Sequence, residues 1–211
     1  MNNNISFKGT FKFNIATNDY KSANSLYDLQ DNILETIDYQ DYVEYPSAND
    51  DITKFTYVIP DSKNSEVENF CIANGIKFKK CTQEELTSEN AVKSRMIVPE
   101  FNKINGWQLV EVDIKKFNDL YKKEIDTGYV GDSGKTEHPE RCNSFKEYLK
   151  SGLDIEAPQV FLREENGDLR ITFQDGRHRY SVLRDELKFK SIPLALDQES
   201  IELAKKYELI T

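Results

Sequence analysis

The stretch from Leu169 to Leu187 constrains this 211-residue chain more than any other. Leu169, Ile171 and Phe173 alternate with Arg170, Thr172 and Gln174. That period of two marks a strand with one buried face. Asp175-Gly176 follows, and glycine belongs where the backbone bends sharply or must approach a ligand closely. Val182, Leu183 and Leu187 then lie on the core side of a helix expected over 177–188. Each element has one apolar face to cover, so a strand breaking straight into a helix calls for helices layered on a sheet.

The first turn of that helix reads Arg177-His178-Arg179. A helix N-terminus already presents unpaired N–H groups and the positive end of the dipole. Stability alone would favour Asp or Glu there. Two arginines and a histidine make sense if an external anion sits at the turn, held by N–H groups and guanidinium forks together. In the opposing reading, Arg177 and Arg179 pair with Asp175, Asp185 or Glu186, and His178 merely packs.

The neighbouring segments extend the pattern. Strands are expected over 159–163 and 169–174, joined by a hairpin at Asn166-Gly167. A strand over 190–196 and a helix over 197–207, capped by Asp197, follow the corner. Upstream, 95–99 and 107–113 read as strands. Residues 114–125 read as an amphipathic helix with Ile114, Phe117, Leu120, Tyr121 and Ile125 inward and Asp113 as cap. Residues 127–142 read as irregular, before a short helix over 144–149.

The front of the chain predicts a strand over 9–15, a helix over 22–36 capped by Ser22 or Asn24, and a strand over 54–60. A helix opened by Ser62 or Ser65 then buries Val67, Phe70, Cys71 and Ala73, ends at Asn74-Gly75 and leads to a strand at 76–78. Residues 38–53 are acidic and tyrosine-rich, with a loop at 46–51. Two domains are expected, an acidic α/β subdomain over 1–90 and an α+β domain over 91–211 that carries the corner.

Charge separates the two. Residues 1–90 hold 15 acids and 8 bases, whereas residues 128–190 hold 12 and 11; the whole chain is at −9. Non-specific DNA binding relies on many Lys and Arg contacts to phosphate, so it is not expected. No run approaches the length of a membrane span and the first residues lack a signal pattern, so a cytoplasmic protein without membrane association is expected. Three cysteines without a CxxC pair and two histidines do not match zinc-ligand spacing.

Gly131-Asp132-Ser133-Gly134-Lys135-Thr136 imitates a phosphate-binding P-loop, but Tyr129 stands where the first glycine is required. A helix is expected before it rather than a strand, and Pro139 is expected to block a helix after it. The segment reads instead as a glycine-rich loop in which Tyr129, Lys135, His138 and Arg141 form a lid over a ligand.

Asp175-Gly176-Arg177-His178-Arg179, the following helix and Ile192-Pro193-Leu194 resemble the core box of the ParB/sulfiredoxin-like superfamily. Ala157-Pro158-Gln159-Val160-Phe161 resembles the strand leading into that box. The likeness is good over 157–196 and loose over 95–196. It implies a mixed-sheet C-terminal domain that binds nucleotide phosphates at this turn, as ParB does with CTP and sulfiredoxin with ATP. The catalytic cysteine of sulfiredoxins has Arg177 in its place here, so sulfinic acid reduction is not implied. The DNA-reading segment of ParB is not matched. The box more closely resembles that of small phage or mobile-element ParB-like proteins.

The resemblance makes Gly176, Arg177, His178 and Arg179 the phosphate-binding residues, with Arg141 and Lys135 closing from the loop. Asp175 is the expected Mg²⁺ ligand, and Asp175 with His178 the catalytic pair, for phosphoryl transfer or nucleotide hydrolysis. Two alternatives use other features. A metal-dependent nuclease would use the same turn with Asp175 on the metal. A non-enzymatic protein would bind and inhibit a basic partner through the acidic lobe, where Asp38 to Tyr45 stand out.

Overall fold

A computed structural model describes residues 7–35, 40–44, 51–124, 130 and 138–211. The described chain is mixed α+β and separates into two compact units. One comprises residues 1–86 with 150–153, the other 87–149 with 154–211. The sequence reading set its boundary at 90 and left 150–153 with the second unit.

In the first unit, β1 (Phe7–Ala16), α1 (Tyr20–Leu29), β2 (Gln40–Glu44), β3 (Ile52–Pro60), α2 (Asn64–Asn74) and β4 (Lys79–Cys81) build a sheet of order β2-β3-β1-β4. All neighbours run antiparallel, so this is helices on an antiparallel sheet rather than a parallel α/β unit. Alternation in β1 buries Phe11, Phe13 and Ile15 against Leu26 and Leu29 of α1 and Val67 and Cys71 of α2. Cys71 packs as a small apolar group, and burial raises its thiol pKa to about 11.

Some local expectations shift. Helix α1 starts before Ser22, because Asp19 accepts the Ser22 N–H at 3.1 Å and caps it. The chain leaves α2 through Gly75 at φ 68°, as expected, but the next strand is 79–81 rather than 76–78. Ile76 is instead buried in the core beneath that turn. β2 falls within the acidic stretch that the sequence leaves without structure, where its pairing with β3 supplies the order. A five-residue helix α3 (Gln83–Thr87) spans the boundary between the units.

The second unit contains α4 (Glu89–Lys93), β5 (Met96–Ile97), α5 (Glu100–Ile104), β6 (Gln108–Asp113), α6 (Ile114–Tyr121), α7 (Pro139–Leu149), β7 (Ile155–Glu156), β8 (Gln159–Glu165), β9 (Asp168–Asp175), α8 (Arg177–Asp185), β10 (Ser191–Leu196) and α9 (Gln198–Lys206). Its sheet has the order β6-β10-β8-β9. β10 is antiparallel to β6 and parallel to β8, and β8 and β9 form the hairpin expected at Asn166-Gly167. Both turn residues take positive φ, 54° and 85°, which suits a tight two-residue turn.

β10 is central, and Ile192 to Leu196 are all buried. It tolerates Pro193 because pairing with β8 starts only at Ala195, so no ladder bond is lost there. Asp113 caps α6 by accepting the Lys116 N–H at 2.9 Å, and Asp197 caps α9 by accepting the Ser200 N–H at 2.8 Å. Pro139, expected to block a helix, opens α7 instead. At the first helical position its missing N–H costs nothing and its fixed φ is already helical. No helix among the described residues is long and apolar enough to cross a membrane.

Candidate functional site

The corner between β9 and α8 turns on Gly176, held at φ 82° and ψ 11°. A Cβ there would lie 2.7 Å from Pro158 Cα and 3.0 Å from Arg179 Nε. Both the left-handed backbone and the lack of room require glycine. The Tyr180 N–H donates to Gly176 O at 2.9 Å and closes the first helical turn. No side chain caps this helix, and its first turn holds no acid. The N–H groups ahead of Tyr180 therefore have no side-chain acceptor at a positive helix end.

Packing fixes the direction of α8. Tyr180, Val182 and Leu183 are fully buried. The Tyr180 ring sits 5.3 Å from Phe117 and 5.4 Å from Phe173. Arg184 lies over the same ring at 5.5 Å and pairs with Asp185 at 2.5 Å. One arginine of this helix thus serves the core; the three residues before Tyr180 do not.

Beside the corner lies a cavity of about 620 Å³. Gly176, His178 and Arg179 form one side, with Asp175 and Glu156 at the rim. Helix α7 supplies the opposite wall through Glu140, Arg141, Ser144, Phe145 and Tyr148. The Tyr148 hydroxyl donates to Asp154 O at 2.6 Å, and burial raises its pKa. The volume falls within the ~300–1,000 Å³ of small-molecule sites.

Arg179 is the cation facing this space from α8. Its Nη2 donates to Asp175 Oδ2 at 2.7 Å, and Nη1 lies 3.9 Å from Glu156 Oε2. Its Nε is buried and has no hydrogen-bond partner among the described residues. The opposing sequence reading therefore holds in part, since Asp175 does engage Arg179.

His178 is buried and lines the same cavity. Burial holds its pKa below the usual imidazole range, and the charges of Arg177 and Arg141 add to the shift. It is neutral at pH 7. The second histidine, His138, meets it edge-on with ring centroids 5.9 Å apart, and Glu140 lies 3.1 Å from His138 Nδ1.

The structure thus brings together Asp175, Gly176, His178, Arg179 and Arg141. Arg177 is half-buried in the same turn but does not line the cavity. Lys135, Tyr129 and the P-loop-like segment lie outside the described residues. Among the described residues, no three His, Cys, Asp or Glu side chains gather into a metal site. The sequence reading missed Glu156, Ser144, Phe145 and Tyr148. The last three share a helix face at i, i+1 and i+4, which the reading treated only as a short helix.

Comparisons of the chain with protein-family models, with curated proteins and with solved structures find no match.

Proposed function

We propose that the chain binds a nucleotide, ATP or CTP, with its phosphates at the N-terminal turn of α8. The observation that carries this reading is a ligand-sized cavity bounded by an uncapped helix end and lined by Arg179. Oriented N–H groups and a guanidinium fork suit a phosphoryl group, whose oxygens accept from both. Phe145 and Tyr148 offer the nucleoside an apolar wall on α7. The strand, glycine corner, helix and buried strand from β9 to β10 also support the ParB/sulfiredoxin-like arrangement.

Mg²⁺ suits this place only as an ion carried in with the phosphates. It takes one or two carboxylates plus phosphate oxygens rather than a full protein cage. Asp175 and Glu156 at the rim are the side chains that would hold it. There it would offset charge on the phosphoryl oxygens. His178, uncharged at pH 7, is suited to accept a proton from an attacking hydroxyl or water.

Thermal unfolding of the full chain with ATP, CTP, GTP, UTP and inorganic phosphate, with and without Mg²⁺, tests the reading. A ligand at 100 times its Kd adds about 2.7 kcal/mol. One nucleotide class is expected to raise Tm, and Arg179→Ala to reduce the rise by about half or more. No rise with any nucleotide would refute the reading and turn attention to the acidic first unit.

A further inference from the structure

The cavity beside α8 differs in charge from one end to the other. Helix α7 runs along it with Arg141, Phe145 and Tyr148 on one face, at i, i+4 and i+7. At 1.5 Å per residue they span about 10 Å. Arg141 marks one end. Its N–H donates to His138 O at 3.1 Å, and the His138 ring meets that of His178. Among the described residues Arg141 forms no ion pair, whereas Arg179 is held by Asp175 at 2.7 Å. Tyr148 marks the other end. Its hydroxyl donates to Asp154 O at 2.6 Å, so what it offers a ligand is its ring. Two residues beyond Asp154, Glu156 reaches the rim of the same cavity. Its carboxylate is 52% exposed and lies 3.9 Å from Arg179 Nη1, beyond hydrogen-bond reach. It accepts no hydrogen bond among the described residues. The unpaired cation and the open carboxylate thus sit at opposite ends, with Phe145 between them.

We infer that Glu156 accepts the ribose hydroxyls of a ribonucleotide that lies along α7, with its phosphoryl groups toward Arg141 and His178 and its base against Phe145 and Tyr148. The inference rests on the nucleotide reading of the cavity. A carboxylate repels phosphate, so Glu156 sets the direction in which the ligand lies. It also has two acceptor oxygens, and the 2′- and 3′-hydroxyls of ribose are two adjacent donors. Hydrogen bonds to a charged acceptor are the stronger kind. An acidic side chain reads the ribose 2′-hydroxyl in the same way in dinucleotide sites of another fold. A 2′-deoxyribose brings one donor fewer and leaves a carboxylate oxygen without its partner, which is how a polar site rejects an analogue lacking a hydroxyl. Glu156 is therefore a specificity residue for ribonucleotides, and a phosphate-borne Mg²⁺ is left to Asp175.

The test is calorimetric titration of the full chain with CTP, ATP and their 2′-deoxy counterparts in the presence of Mg²⁺. Wild type is expected to bind its ribonucleotide roughly tenfold or more tightly than the 2′-deoxy form, the worth of one hydrogen bond to a charged group. Glu156→Ala is expected to bind the two forms alike, and Glu156→Gln, which keeps one acceptor, to fall between. Arg141→Ala is expected to weaken both forms by the same factor and leave their ratio intact. Equal binding of the two forms by wild type overturns the ribose contact and leaves nucleotide binding standing. A preference that survives undiminished in Glu156→Ala overturns the role of Glu156, and a ratio altered by Arg141→Ala overturns the orientation. Absence of binding by wild type with every nucleotide overturns the nucleotide reading and this inference with it.

Discussion

Three helices of the second unit start in two different ways. α6 and α9 begin with aspartates, Asp113 and Asp197, whose side chains accept N–H groups of their own first turns. α8 begins with Gly176, has no side-chain cap, and follows with Arg177, His178 and Arg179. The first two ends are satisfied from within, as stability requires. The third leaves its donors available and adds positive charge to a positive end. A protein that can cap two helices with aspartate has left the third uncapped beside a cavity, so the difference points to something other than stability.

The sharpest way to break this contrast is Gly176→Ala. The added Cβ meets Pro158 Cα at 2.7 Å at a positive φ, and the backbone and packing costs together come to about 3 kcal/mol. A large fall in Tm is expected, with loss of nucleotide binding. Next is Arg179→Ala, for which a charged hydrogen bond worth about 1.5–3 kcal/mol sets the expected loss of affinity. Its Tm without ligand should hardly change, since its partner Asp175 is exposed.

Asp113→Ala and Asp197→Ala sharpen the contrast from the other side. Each should cost about 1 kcal/mol of stability, as lost caps do, and leave nucleotide affinity unchanged. Denaturant unfolding and a binding titration on the same samples check both halves.

The smallest effect is a dependence on pH. His178 is held below its ordinary pKa in the folded chain, chiefly by burial, with Arg177, Arg141 and His138 opposing its protonation and Glu140 favouring it. Below about pH 6.5 the unfolded chain binds a proton that the folded chain refuses. Stability should therefore fall as pH drops below that value, by at most about 1.4 kcal/mol per pH unit, until the folded ring itself titrates. His178→Gln should remove this part of the slope in unfolding measured between pH 7 and 5.

Much of the second unit was legible because its signals are local. Leu169 and Ile171 are buried as their alternation required, Asn166-Gly167 makes the turn, and Asp113 and Asp197 cap where they were expected to. The glycine corner was legible for the same reason. The opposite wall of the cavity was not, because α7 reaches α8 only through tertiary packing across some thirty residues of sequence. Pro139 was misread because proline blocks a helix interior but suits its first turn. Arg177 and Arg179 look equivalent in the sequence; the helix turns only one of them into the cavity. The apolar pair at Ile76 and Phe78 suggests a strand, yet Ile76 is buried for packing next to Gly75 and lies outside any strand.

Backbone amide NMR during titration with ATP or CTP reads whether the uncapped end of α8 receives an anion from outside the chain. Saturable shifts of the Gly176, Arg177 and His178 N–H signals are expected, with Lys116 and Ser200 at the two capped ends unmoved. Shifts absent from all three α8 amides, or equal at the capped ends, would contradict it.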